Sequence, residues 1–150
     1  MDKQSILKAG SLAGLALAIA GLLYLVRNNF IVSTNPVGLA MQGLAIALMI
    51  WARFTFGMRS FHAVANTTEG GLVTHGAYRW FRHPIYAAIL YFVWGAVLSS
   101  YRFPYAIAAA SLVSAGLIAR LLIEESFLRV AYAQYEAYSK QTKRIVPFLF

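Results

Sequence analysis

Two of the chain's three histidines, His75 and His83, and two arginines, Arg79 and Arg82, fall inside the short segment GLVTHGAYRWFRHPIY, Gly71 to Tyr86. Guanidinium and imidazole groups this dense between apolar runs suit an anionic or strongly hydrogen-bonding ligand, because polar groups beside a bilayer are costly without a use. Pro84 biases His83 away from helical geometry and favours a helix start at or just after itself. Arg82 and His83 are therefore expected beside a helix N-terminus, whose unpaired amides and positive dipole end suit a carboxylate. Three histidines without clustered spacing point away from a metal site, and the absence of cysteine removes thiolate ligands, thiol nucleophiles and disulfides. His62 stands in no motif. The bland reading of the segment is a set of arginine anchors with Tyr78, Trp80, Phe81 and Tyr86 as an interfacial aromatic belt.

A second polar cluster, Arg120, Glu124, Glu125 and Arg129, follows a long apolar run. Arg120 with Glu124, and Glu125 with Arg129, are four residues apart, the spacing of helix-surface ion pairs that stabilise by about 0.2–0.5 kcal/mol each. Adjacent glutamates on a helix point about 100° apart, so one can face a pocket while the other is held by an arginine.

The elements that must position these clusters are apolar. Hydrophobic residues make up 60% of the chain and charged ones 12%, whereas a soluble domain carries roughly 25% charged residues, so a membrane protein is expected. Hydrophobic stretches at about Ile6–Val26, Phe30–Trp51, Ile85–Ser100 and Phe103–Ile123 predict four spans, the last two short or tilted. The 150 residues are expected to form one domain, 1–150, as an all-α polytopic bundle with an ordered loop before the third span. Gly70, Gly71 and Gly76 mark turns in that loop. The start MDKQSILKAG is read as a retained first span rather than a cleaved signal, since no small-residue cleavage site stands out. Gly10, Gly14 and Gly21 give this span a small-residue face for close helix packing, within the chain or with another copy, and oligomeric state is left open.

Ser99 to Pro104 is short enough to be a hairpin, which makes the third and fourth spans antiparallel neighbours. After Ile123, apolar or aromatic residues at Leu128, Ala131, Tyr135 and Tyr138 predict an amphipathic C-terminal helix ended by Pro147. The net charge of +8 belongs to no isolated basic domain, so nucleic acid is not an expected partner. With both termini on one side, only Arg27 and Arg102 of the thirteen Lys and Arg lie in far loops, and that asymmetry predicts termini and site facing the cytoplasm.

The two clusters together carry a resemblance. The pattern G-x-Y-x-x-x-R-H-P-x-Y from Gly76 to Tyr86, then E-E-x-x-L from Glu124 to Leu128 and a tyrosine-rich run ending in proline, resembles the isoprenylcysteine carboxyl methyltransferase family and its phospholipid methyltransferase relatives. The similarity covers about residues 72–147. It implies an integral membrane enzyme that uses S-adenosyl-L-methionine, with a lipophilic or prenylated acceptor drawn from the membrane. The cofactor-binding positions it implies are Val73, His75, Gly76, Tyr78, Arg82, His83, Pro84, Tyr86, Glu124, Glu125 and Leu128, with Arg82, His83 and Glu125 as catalytic candidates. Arg82 or a nearby amide is expected on the methionine carboxylate, the histidines on other polar groups, and Glu124 or Glu125 on ribose hydroxyls or the amino group. Tyr78 and Tyr86 are expected against the adenine or the sulfonium. Consistent with a helical site, no G-x-G-x-x-G follows a strand. Two other readings stand beside this one: a membrane reductase of sterol-reductase type using a reduced nicotinamide, and a membrane scaffold without enzymatic activity.

Overall fold

Prolines open two of the helices. Pro36 and Pro84 each occupy the first helical position, where a missing amide proton leaves no bond unmade. Asn35 completes the first of these starts by accepting from Val37 N at 2.9 Å. A computed structural model describes residues 2–57, 71–98 and 104–146. In it the helices are α1 (Lys3–Arg27), α2 (Pro36–Phe56), α3 (Pro84–Val97), α4 (Tyr105–Ala131) and α5 (Tyr135–Gln141), with a 3₁₀ turn at Gly76–Arg79. Among the described residues there is no strand, only one isolated parallel bridge between Phe81 and Lys143. His62, Gly70, Arg102, all of the expected Ser99–Pro104 hairpin except Pro104, and Pro147 lie outside the described residues.

Helices α1, α2 and α4 are long and apolar enough to cross a bilayer, and α3, at 14 residues, is shorter. Leu23, Leu44, Phe54 and Val130 are exposed. Such side chains are at home against acyl chains and ill at ease in water, as expected of a membrane protein.

Small residues set the packing. Helix α1 lies antiparallel along α4: a Cβ added to Gly21 would come within 2.7 Å of Val113 Cγ2, and one added to Gly14 within 2.7 Å of Gly116 O. The glycine face of the first span is thus used inside the chain, which is how backbones come close where hydrophobicity alone gives no attraction between helices. Helix α2 pairs with α3 in the same sense, through the Gly38–Gly95 approach and Gln42, which donates to Phe92 O at 3.2 Å and to Ile31 O at 2.8 Å. Trp94 Nε1 donates to Ser114 Oγ at 3.0 Å, and with Tyr86 near Arg120 this makes α3 and α4 antiparallel neighbours, as expected. Leu90, Val93, Val97, Val113, Leu117 and Leu121 fill the core between them.

Two expected boundaries shift. The fourth span does not end at Ile123; α4 continues through Glu124 and Glu125 to Ala131, because those side chains find partners in the fold and need not leave the helix. The amphipathic helix expected after Ile123 is accordingly divided, its first part belonging to α4 and its second to α5, with Tyr132 extended between them. That second part stops at Gln141, before Pro147, and Thr142 is already extended. The extended chain then pairs with the loop ahead of α3: Arg82 N donates to Lys143 O at 2.6 Å and His83 N to Arg144 O at 3.0 Å.

Candidate functional site

Three segments meet around one carboxylate. Glu125, on the inner face of α4, is 3% exposed. Its Oε1 lies 3.1 Å from Arg82 Nη1 and 3.5 Å from His83 Nε2. From the C-terminal segment, Arg144 grips both oxygens, with Nη2 2.9 Å from Oε2 and Nε 3.1 and 3.2 Å from the pair. A buried carboxylate is tolerated only with such compensation. The Glu125 charge in turn holds the Arg144 guanidinium more firmly in its protonated form. The structure brings Arg82 and His83, from the loop before α3, together with Glu125 of α4.

The cluster is not saturated. Arg82 Nε, His83 Nε2 and Tyr135 Oη are buried without a hydrogen-bond partner, and His83 Nε2 meets Glu125 only at the outer limit of contact. Tyr135 is 1% exposed, and burial first, then the nearby Glu125 charge, push its phenol up to about 12, so it stays protonated. Arg82 lies close enough to the Tyr135 phenol to oppose that rise. Unmet donors in a buried place cost about 1–3 kcal/mol each, which marks them as groups that a ligand can satisfy. Together they offer hydrogen bonds suited to an anionic or polyhydroxyl ligand.

The remaining expected residues surround this centre. His83 caps α3, and its ring lies parallel to that of Tyr86, at 7° and 5.5 Å between centroids. Tyr86 Oη donates to Glu124 Oε2 at 2.7 Å. Tyr78 is buried against Phe56, and its carbonyl accepts from Tyr138 Oη at 2.7 Å, which ties α5 to the 3₁₀ turn. Burial raises the Tyr78 phenol well above its ordinary value. Gly76 has φ +58°, and a Cβ there would strike Thr55 of α2, so glycine is required for the turn to reach that helix. Val73, like Phe56 and Ile85, packs against the cluster of Ala52, Ala77 and Tyr78, while His75 is exposed at the start of the turn and Leu128 is half-buried on α4.

The aromatic-belt reading does not survive. Tyr78 and Phe81 are buried and Tyr86 half-buried, leaving Trp80 exposed beside Arg79 at 6.0 Å. The expected Glu125–Arg129 pair is replaced, since Glu125 binds Arg82 and Arg144 while Arg129 bonds Glu136 of α5. Arg144 and Tyr135 were not among the expected site residues. The signal that could have indicated Arg144 was the need for a second cation near two adjacent glutamates. An apolar cleft of about 600 Å³ is lined by Met41, Leu44, Leu48, Trp51, Phe81 and Tyr91. Phe81 precedes Arg82 in the chain, and Tyr91 Oη donates to Ile145 O at 2.7 Å, one residue from Arg144.

The profile of the phospholipid methyltransferase family matches residues 33–135, a stretch from the entry of α2 to the start of α5. The chain belongs to that family. A relative from Tribolium castaneum named protein-S-isoprenylcysteine O-methyltransferase is 34% identical over 119 residues, 77% of this chain and 42% of the relative. The chain thus spans less than half the length of that curated relative. No solved structure matches. Within this phospholipid methyltransferase family member, the matched residues contain Arg82, His83, Tyr86, Glu124 and Glu125, while Arg144 and all of α1 lie beyond them.

Proposed function

We propose that the chain is an integral membrane methyltransferase that takes its methyl group from S-adenosyl-L-methionine and esterifies the carboxylate of an isoprenylcysteine-like acceptor. The observation that carries this reading is the meeting of Arg82, His83, Glu125 and Arg144, with three unsatisfied buried polar atoms, in a fold that also offers an apolar cleft lined by Phe81. The donor supplies a methyl already activated on a sulfonium, open to in-line displacement by a carboxylate. The chain's part is to align two reactants and to exclude water. With a carboxylate acceptor no proton has to be removed, so no general base is required.

The division of labour follows from which lone pairs and protons are still available. Arg82 Nε and Tyr135 Oη would hold the donor's carboxylate, and His83 Nε2 would bond a further polar group. Glu125, spent on two arginines, would orient Arg82 and His83. Glu124 uses Oε2 on Tyr86 and is half-buried, so it is the glutamate suited to accept from an amino or hydroxyl group. Val73, His75, Gly76, Tyr78, Pro84, Tyr86 and Leu128 would wall the donor, and the apolar cleft would take the acceptor's hydrocarbon. The one-sided distribution of Lys and Arg supports a site facing the cytoplasm.

The test uses methyl-labelled donor, an S-farnesylcysteine analogue and phosphatidylethanolamine as competing acceptors, in sealed vesicles. Base-labile label on the farnesylcysteine is expected, and only when the cytoplasmic face is outward. Label on phosphatidylethanolamine alone would overturn the acceptor assignment, and label in both vesicle orientations would overturn the topology.

A further inference from the structure

A charged side chain lies inside the helix bundle one turn ahead of the glutamates. Arg120 of α4 is 5% exposed, at a depth where an arginine is expensive unless its protons are used. Its Nη1 donates to Ser11 Oγ of α1 at 3.1 Å and its Nε to Tyr86 Oη of α3 at 2.9 Å. Tyr86 Oη, accepting from the guanidinium, donates onward to Glu124 Oε2 at 2.7 Å. One phenol oxygen therefore has both its acceptor and its donor role fixed, which leaves the ring little freedom to rotate. That ring lies parallel to His83 at 5.5 Å, and His83 is the cap residue with an unsatisfied buried nitrogen.

We infer that Arg120, braced by Ser11 of the first helix, is a positioning residue that fixes His83 for ligand binding through the Tyr86 ring. Arg120 reaches His83 through the hydroxyl and one aromatic face of Tyr86. The inference explains why a serine with no exposed surface sits among the glycines and alanines of α1. It also gives α1, which lies outside the residues matched by the family, a part in the site beyond helix packing. The inference rests on the methyltransferase reading for the identity of the ligand, but not for the geometry.

A double-mutant cycle on the full chain tests it: Ser11→Ala, Tyr86→Phe and the pair, with Arg120→Lys and Arg120→Met as a graded series. The first readout needs no ligand. The imidazole resonances of His83 in labelled protein should move in Ser11→Ala and in Tyr86→Phe, while those of exposed His75 stay put. The second readout is affinity for S-adenosylhomocysteine. Each single change should weaken it about tenfold, the loss expected for a hydrogen bond to a charged group. The double variant should be no weaker than the worse single, because both act through Arg120. Arg120→Lys should recover part of what Arg120→Met loses. Unmoved His83 resonances, or strictly additive losses that follow thermal stability, would overturn the positioning role. Wild-type protein that binds no S-adenosylhomocysteine while His83 still responds would instead reject the donor assignment and leave the positioning role standing.

Discussion

Glu125→Gln should abolish donor binding and lower thermal stability in the same protein. The carboxylate is 3% exposed and is shared by Arg82 and Arg144, with His83 at its edge. Glutamine keeps the shape but removes the charge, and it turns an amide N–H₂ toward guanidinium groups that have only protons to offer. Removing one member of a buried ion pair costs about 3–5 kcal/mol, since the charges left behind cannot return to water. If Arg82 loses its orientation as well, affinity for a carboxylate-bearing ligand should fall by more than about 100-fold. Thermal unfolding in detergent and calorimetric titration with S-adenosylhomocysteine read the two effects. A variant that melts and binds like wild type would mean that the cluster is neither a keystone of the fold nor part of the site.

The second large effect is expected far from the polar cluster. Gly116→Val places a side chain against Gly14 O, where the backbones of α1 and α4 nearly touch. Because a backbone cannot rotate out of the way, the helices must separate, and overpacking of this kind costs about 1–3 kcal/mol or more. Ser11 and Arg120 lie one turn from Gly14 and Gly116, so the same separation would draw Ser11 away from the guanidinium. Gly43→Val is the control, because a Cβ at Gly43 meets nothing within 4 Å. The midpoint of thermal unfolding should fall in Gly116→Val and hold in Gly43→Val. Equal midpoints would show that the α1–α4 crossing does not depend on close backbone approach.

Much of this was legible because proline and glycine speak locally. Pro84 fixes the start of α3 and so places His83 at its cap, and Gly76 serves a turn that only glycine can make against Thr55. The apolar runs located α1 and α2, and the short link between the last two runs announced the antiparallel pairing of α3 with α4. What stayed hidden depends on partners distant in sequence. Loss of apolar character at Glu124 looked like the end of a span, yet both glutamates have good helix propensity and are paid for by Tyr86, Arg82 and Arg144. The break at Tyr132 has neither glycine nor proline to announce it. Arg144 sits in a basic run, KQTKR, with no pattern of its own; its role arises when Lys143 and Arg144 pair with residues 81–83, and a parallel bridge of one residue leaves no periodicity to detect. The four-residue spacing of Arg120, Glu124, Glu125 and Arg129 suggested local ion pairs, but a bidentate arginine from another segment offers the carboxylate more than a neighbour on the same helix does.

The central claim is that the cluster around Glu125 holds a methyl donor, and calorimetric titration of the purified wild-type chain with S-adenosylhomocysteine, alongside a reduced nicotinamide cofactor, tests it most directly. Saturable binding of S-adenosylhomocysteine, lost in Arg82→Ala and absent for the nicotinamide, is the predicted result. Binding of the nicotinamide alone, or S-adenosylhomocysteine affinity untouched by Arg82→Ala, would contradict it.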